Sequence, residues 1–339
     1  MKVSMIGLDI AKNVFHLVGQ TRSGREVLKK RLRRAQVIGY FAQCEPCVVG
    51  IETCSGAHHF GRELERLGHT VRLVPARAVK PYVTGAKNDD NDAAGICEAL
   101  KNPRLHPVAV KSVAQQDLQA LHRLREAALK ERTALANRLR GVLAEYGLVM
   151  PKGIATLRAR LPALLEDGEN GFSALLRELL AEHYEALCEL DARVQRFDQR
   201  LRRVQREHPA ARRLSEVRGL GPVLASALPA FIGDGHQYAS ARGFAAAIGL
   251  VPHQASTGGK TRLLGISKRG NRYLRNAFIH GARAVLNRAG EHDDRLSRWA
   301  LRVRARRGTN RATVALAHKL ARIAWVVLAR AERFDPAHA

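Results

Sequence analysis

The stretch Val3-Ser4-Met5-Ile6-Gly7-Leu8-Asp9-Ile10 opens the chain as an apolar, β-prone run with one charge, on Asp9. A carboxylate inside such a strand is costly unless it is paired or bound to a metal. Working outward, residues 14–19 read as a second strand and residues 25–32 alternate with period two. The turn residues Lys12-Asn13 and Arg22-Ser23-Gly24 join the three into an antiparallel meander. Residues 35–43 have helical spacing, 47–52 form a buried-type strand, and 58–67 form a helix closed by Gly68. A strand at 70–74 ends at Pro75, and residues 91–100 form a helix. The order β-β-β-α-β-α-β-α is the ribonuclease H-like arrangement.

Three more carboxylates share the distinction of Asp9. Glu52 ends the apolar strand Val48-Val49-Gly50-Ile51, and Asp89 and Asp92 stand at the start of a helix. Their i, i+3 spacing sets Asp89 and Asp92 on one helical face and turns Asp90 away. In a ribonuclease H-like sheet the first strand, the end of the fourth and the last helix converge on one point. Four acids there repel one another unless cations are present, and carboxylates suit Mg²⁺, which polarises a phosphate and stabilises a departing oxygen. Helix capping by Asp89 and Asp92, and an arginine partner for Glu52, are the plainer alternatives.

Beyond a linker marked by Pro103 and Pro107, residues 113–146 run without a helix breaker. In a second long segment, 172–208, Leu180, His183, Leu187, Leu190, Val194, Phe197, Leu201 and Val204 recur in steps of three and four. That seam predicts a coiled-coil hairpin or a dimer arm. Val217-Arg218-Gly219-Leu220-Gly221-Pro222 then opens a helix and resembles a helix-hairpin-helix turn, which doubles elsewhere as a plain helix junction. A Gly- and Thr-containing loop at 256–265 and helices from Asn271 and over 311–330 complete the chain.

The charge of the 339-residue chain is +26, with 57 Lys+Arg against 31 Asp+Glu. It is unevenly placed: no acid stands between Gly235 and Gly290, against nine Lys or Arg. Arginine's planar fork suits phosphate and guanine edges, so nucleic acid is the expected partner. A hydrophobic share of 46% supplies a core and excludes wholesale disorder. With no signal pattern and no apolar run of about 18 residues, the expectation is a soluble, cytoplasmic, nucleoid-associated protein without a membrane partner. Five scattered cysteines do not make a disulfide framework; Cys44 and Cys47 have redox or zinc spacing but no second ligand pair follows.

In the acid-free segment, Gly259-Lys260-Thr261 tempts a phosphate-loop reading. Gln254 stands where that motif needs Gly and no apolar strand immediately precedes it, which excludes a nucleotidase. What remains is a hydroxyl-bearing loop followed by Ser267-Lys268-Arg269-Gly270-Asn271-Arg272 and Arg275. A serine beside several cations can attack a phosphodiester; Lys260, Arg262, Lys268, Arg269, Arg272 and Arg275 are the candidate phosphate clamp, or a generic solvated face.

Taken together, Gly7-Leu8-Asp9-Ile10-Ala11-Lys12, Ile51-Glu52-Thr53-Cys54-Ser55-Gly56, Lys87-Asn88-Asp89-x-x-Asp92-Ala93 and Gly249-Leu250-Val251-Pro252 resemble the DEDD-type insertion-sequence transposases of the IS110/IS1111 family. So do Ser256-Thr257-Gly258-Gly259-Lys260 and Gly265-Ile266-Ser267-Lys268-Arg269-Gly270, and the motifs run in the family's order from about residue 3 to 330. The resemblance implies a RuvC-like (ribonuclease H-like) DEDD catalytic domain over 1–105, a helical coiled-coil region over 106–210, and a mainly helical C-terminal transposase domain with the serine loop over 211–335. By the same resemblance Asp9, Glu52, Asp89 and Asp92 bind Mg²⁺, two ions per composite site. Ser256 attacks DNA to form a covalent phosphoserine, and the protein works as dimers pairing into tetramers, guided by a structured non-coding RNA. Thr257 stands where many relatives carry a second serine, so the nucleophile is a choice between adjacent hydroxyls, resolved here in favour of Ser256. A junction-resolving nuclease using metal-activated water, and a non-catalytic nucleic-acid-binding protein, are the rival readings.

Overall fold

The computed structural model describes residues 2–83 and 88–335. It separates into two compact units, Met1–Ala114 and Gln115–Ala339; Lys87 of the third quoted motif lies outside the described residues.

Unit 1 is a five-stranded sheet covered on both faces. Its strands are β1 (Met5–Ile10), β2 (Val14–Gln20), β3 (Glu26–Arg33), β4 (Val48–Glu52) and β5 (Thr70–Val74), in the order β3-β2-β1-β4-β5. The β1–β2 and β2–β3 pairs are antiparallel, whereas β1–β4 and β4–β5 are parallel. Helices α1 (Val37–Ala42), α2 (Ala57–Arg66), α3 (Ala76–Val79) and α4 (Asp89–Lys101) connect or follow the strands. Alternation along the strands decides which helix meets which face. Ile6, Leu8, Val49 and Ile51 point toward Phe41 of α1 and Phe60 and Leu64 of α2, where they are fully or almost fully buried. The opposite parity, Met5 and Val48, packs with Ile96, Ala99 and Leu100 of α4. The edge strand β3 exposes Lys29, Lys30 and Arg31, charges that discourage pairing with another sheet. The element order read from the sequence is therefore present, with ends shifted by one or two residues.

Among its described residues, unit 2 has helices and one β-hairpin. Helix α5 (Val113–Glu145) enters it from unit 1 and pairs antiparallel with α7 (Ala174–Glu207). The direction is fixed by ion pairs Arg125–Asp198 and Arg132–Asp191, whose partners run oppositely along the two helices. The long apolar seam is thus satisfied within the chain. Leu180, Leu187, Val194, Phe197 and Leu201 are buried along it, Leu190 and Val204 are half-buried. His183 is not a seam residue: it is exposed, with Nδ1 2.8 Å from the Leu179 carbonyl of its own helix. Between the two helices in sequence lies α6 (Ile154–Glu166), for which the sequence reading named no element and which carries Pro162 inside it. Leu157 and Leu161 nevertheless pack against Leu135, Leu139 and Leu180, and Arg158 joins Arg132 on Asp191.

The remainder of unit 2 collects α8 (Pro209–Ser215), α9 (Pro222–Ile232), α10 (Ala241–Ala247), α11 (Arg272–Asn287), α12 (Arg295–Arg307) and α13 (Thr309–Ala329) around one core. Helix α13 is long and apolar enough to cross a bilayer by length and composition, contrary to the expectation from uninterrupted runs. Half of its apolar window is buried, with Leu316, Ala317, Leu320 and Ala321 at zero exposure, so it serves as the core helix of this unit. The Gly219-Leu220-Gly221 turn joins α8 to α9, and a Cβ added to Gly281 of α11 would lie 2.1 Å from the Gly219 oxygen. This contact packs the backbone of the turn against α11. His122 of α5 is fully buried between Tyr273 of α11 (2.9 Å) and Ser226 of α9 (3.2 Å), a polar link among three helices.

Candidate active site

Two glycines bring the acids of unit 1 together. A Cβ on Gly7 of β1 would stand 2.1 Å from the Ala93 oxygen of α4, and one on Gly50 of β4 would stand 2.5 Å from Leu100. Helix α4 therefore lies against the sheet where no other residue would admit it. Two residues further along each strand, on the same face, come Asp9 and Glu52. They face the first turn of α4, which supplies Asp89 and Asp92. Asp9, Asp89 and Asp92 each offer an oxygen, and these oxygens lie within 4.8 Å of one another. Among the described residues this is the one cluster of at least three such groups.

Capping does not account for these acids. Asn88 is the N-cap of α4, and its side chain accepts from the Asn91 amide at 2.8 Å. Nor, among the described residues, is Glu52 paired with an arginine. Burial and then the neighbouring charges of Asp92, Asp89 and Glu52 push the Asp9 carboxyl up to about 6. Burial, followed by Asp92, also raises Glu52. Like charges so arranged are what a divalent cation relieves, and oxygen-only donors suit a hard ion. The residues present fit such a cation. Asp90 is different: His16 donates from Nδ1 at 2.6 Å, Lys29 lies at 3.1 Å, and the bond from His16 leads the causes that hold its carboxyl low.

His16 is the neighbour that sequence reasoning missed. It sits opposite Asp9 in the β1–β2 register, is almost buried, and places Nε2 3.4 Å from Asp89. Its signal was a polar residue standing among the core residues Phe15, Leu17 and Val18 of β2.

The second set of candidates lies in unit 2. The expected loop at 256–265 is a β-hairpin, formed by β6 (Pro252–Gln254) and β7 (Leu263–Ile266). Gly258 and Gly259, with φ of 54° and 74°, make its two-residue turn between Thr257 and Lys260. Positive φ at both positions matches the twist of the paired strands. Ser256 is exposed one residue before the turn, and its Oγ accepts from Gln254 Nε2 at 2.8 Å. That bond orients the oxygen without taking its proton. Lys260, Arg262, Lys268, Arg269 and Arg272 are exposed around the hairpin.

Arg275 is a correction. It is 7% exposed, and its guanidinium donates to the carbonyls of Ile248 (3.0 Å) and Arg269 (2.8 Å). It ties the hairpin's base to α10 rather than reaching a phosphate. Close to it, a Cβ on Gly270 would meet the Ala247 oxygen at 1.7 Å, so the two motif segments clasp backbone to backbone.

A family model described as "Transposase IS116/IS110/IS902 family" matches residues 211–297, and a second, described as "Transposase", matches residues 6–148. A probable family 20 transposase of Pseudomonas aeruginosa is 44% identical over 99% of this chain and 100% of its own length. The chain belongs to the IS110/IS1111 family of insertion-sequence transposases. The transposase for insertion sequence element IS1328 of Yersinia enterocolitica is 40% identical over 98% of this chain and 99% of its own. That for element IS1111A of Coxiella burnetii is also 40% identical, over 98% and 91%. Membership makes the chain a DNA-cleaving and rejoining enzyme, with a mixed α/β nuclease-like N-terminal region and a mostly helical C-terminal one. The acid cluster falls within the first matched region and the hairpin within the second.

Proposed function

We propose that this transposase cuts and rejoins DNA by attack of the Ser256 hydroxyl on a phosphodiester, assisted by Mg²⁺ held at Asp9, Glu52, Asp89 and Asp92. The carboxylate cluster carries the reading: oxygens of three acids within 4.8 Å, seated by glycines that serve no other evident purpose. The bound ion supplies charge neutralisation at the scissile phosphate and its departing oxygen. Ser256 forms a new O–P bond as one strand oxygen departs and leaves as a hydroxyl, and the phosphate stays on the serine. Attack by a strand hydroxyl on that phosphoserine reverses the step, so the strand is rejoined and the serine regenerated with no net hydrolysis. Gln254 holds Oγ in place, while Lys260, Arg262, Lys268, Arg269 and Arg272 face the phosphates.

In this proposal residues 1–105 are the metal-binding domain, 106–210 the helical arm and 211–335 the serine-bearing domain. The protein acts as an oligomer, dimers pairing into tetramers, in which the acids of one copy serve the serine of another. An element-encoded structured RNA selects the DNA. The test is a denaturing gel of reactions on the element's junction DNA. A covalent protein–DNA species that depends on Mg²⁺ and disappears in Ser256→Ala is the expected result. An adduct retained by Ser256→Ala moves the nucleophile to Thr257, whereas cleavage without any adduct establishes water as the nucleophile.

A further inference from the structure

A groove of about 1800 Å³ lies in unit 2 between α12, α13 and the β7 strand of the hairpin. It exceeds the roughly 300–1,000 Å³ that encloses a small ligand, so its shape calls for an extended one. Its apolar side is formed by Trp299, Val303 and Ile323, together with Leu263 and Leu264 of β7, which are 63% and 45% exposed. Its charged side carries Arg307, Arg311 and Arg322, all exposed and none in an ion pair among the described residues. From Arg295 to Ala331 the sequence contains no acid. The two acids lining the groove, Glu332 and Asp335, both come from the segment after α13. Burial and then the charges of Arg295 and Arg322 press the Lys319 ammonium below its ordinary range, while it rests 4.9 Å above the Trp299 ring. Positive charge is therefore crowded along α12 and α13, and the groove's acids come only from the segment that follows them.

We propose that this groove holds a single strand of DNA, with phosphates on the arginines of α12 and α13 and bases against the Trp299–Leu263–Leu264 wall. A duplex stacks its bases inward and offers only phosphates and groove edges, which leaves the apolar wall unused. A single strand presents both an anionic backbone and unstacked base faces, and grooves that combine cations with apolar platforms suit it. Continuity makes the strand DNA. Leu263 pairs directly with Gln254, whose side chain bonds the Ser256 hydroxyl, so the groove wall and the candidate nucleophile share one short hairpin. The proposal uses the serine reading only to choose DNA over RNA; the groove itself lies among residues to which that reading assigns no role.

The experiment measures anisotropy of a labelled single-stranded DNA oligonucleotide on the full-length chain, without divalent metal, across a salt series. Arg307→Gln/Arg311→Gln/Arg322→Gln is expected to lose at least tenfold in affinity and to lower the salt slope by about two, at about 0.7 per released contact. Leu263→Asp, on an exposed side chain that folding does not need, is expected to lose tenfold as well. Undiminished affinity in the triple variant overturns the proposal. So does a wild type that prefers the matched duplex, or RNA of the same sequence, through the same three arginines. Wild-type chain that binds the strand through these arginines yet forms no serine adduct supports the groove and overturns the serine reading instead.

Discussion

The acid cluster and the hairpin tip are built on opposite principles. Asp9 and Glu52 are held by a sheet whose glycines admit a helix at backbone contact, and the helix delivers two more acids to the same point. The geometry is set by packing, and the charges resist it. Ser256 sits at the exposed end of two strands of three and four residues, with a single side-chain bond and no acid nearby in sequence. There the surrounding charge is cooperative and the packing minimal. A rigid, electrostatically strained site suits binding a cation tightly, whereas an accessible tip suits meeting a large polyanion.

The largest effects should come from breaking each region at its reacting group. Asp9→Ala removes a carboxylate from the crowd and should lower strand cleavage on the order of a thousandfold, the scale of losing a preorganised charge-stabilising group. Binding of DNA should change little, because the cation field lies in the other unit. Ser256→Ala should abolish the covalent species while leaving divalent-ion binding at the acids intact, as read by calorimetric titration. Equal loss of metal binding in both variants would erase the distinction between the two regions.

A subtler break leaves every acid in place. Gly7→Ala puts a methyl group 2.1 Å from the Ala93 oxygen, so α4 must shift. The expected cost is about 1–3 kcal/mol of stability, as for other overpacked sites, seen as a lower urea midpoint, together with weakened metal binding. The same change at Gly290, where an added Cβ meets nothing within 4 Å, should do neither.

How much of this was legible follows from the same contrast. Asp9 was visible because a charge stands out in an apolar strand, and Asp89 and Asp92 separated from Asp90 by helical spacing alone. The order of elements along unit 1 came from period and turns. What the sequence hid was context. Arg275 looks like its cationic neighbours, and only the fold shows its guanidinium spent on two carbonyls. The hairpin was read as a loop because strands this short carry too little alternation to register, although Gly258-Gly259 was its turn signal. His16 was overlooked because its partners lie seventy residues on, at Asp89 and Asp90.

The crowding of the acids predicts a pH signature. In the metal-free protein the Asp9 carboxyl is pushed up to about 6 from an ordinary value of 3.8. Between these values the folded chain holds a proton that the unfolded chain has lost. This contribution to stability is present below about 3.8 and is lost as pH rises through about 6. Asp9→Asn should therefore stabilise the metal-free protein at pH 7 by about 1–2 kcal/mol, after discounting for the partial exposure of the group. Urea unfolding at pH 4.5 and at pH 7 checks it: the gain should shrink at the lower pH. Added Mg²⁺ should stabilise the wild type and not the variant.

The smallest effect separates two arginines three residues apart. Arg272 is exposed at the first turn of α11, and its loss should weaken DNA binding about uniformly across sequences and reduce the salt slope by about one. Arg275→Gln should leave that slope unchanged, because its charge never reaches solvent in a form a phosphate can meet. It should instead lower the melting temperature, since two buried carbonyls lose their donor, at a cost of about 1–3 kcal/mol. A salt slope reduced equally by both substitutions would mean that the hairpin's base opens when DNA binds, freeing Arg275 from Ile248 and Arg269. The tip would then be a site remodelled by its substrate, and the contrast with the preformed acid cluster would be sharper still.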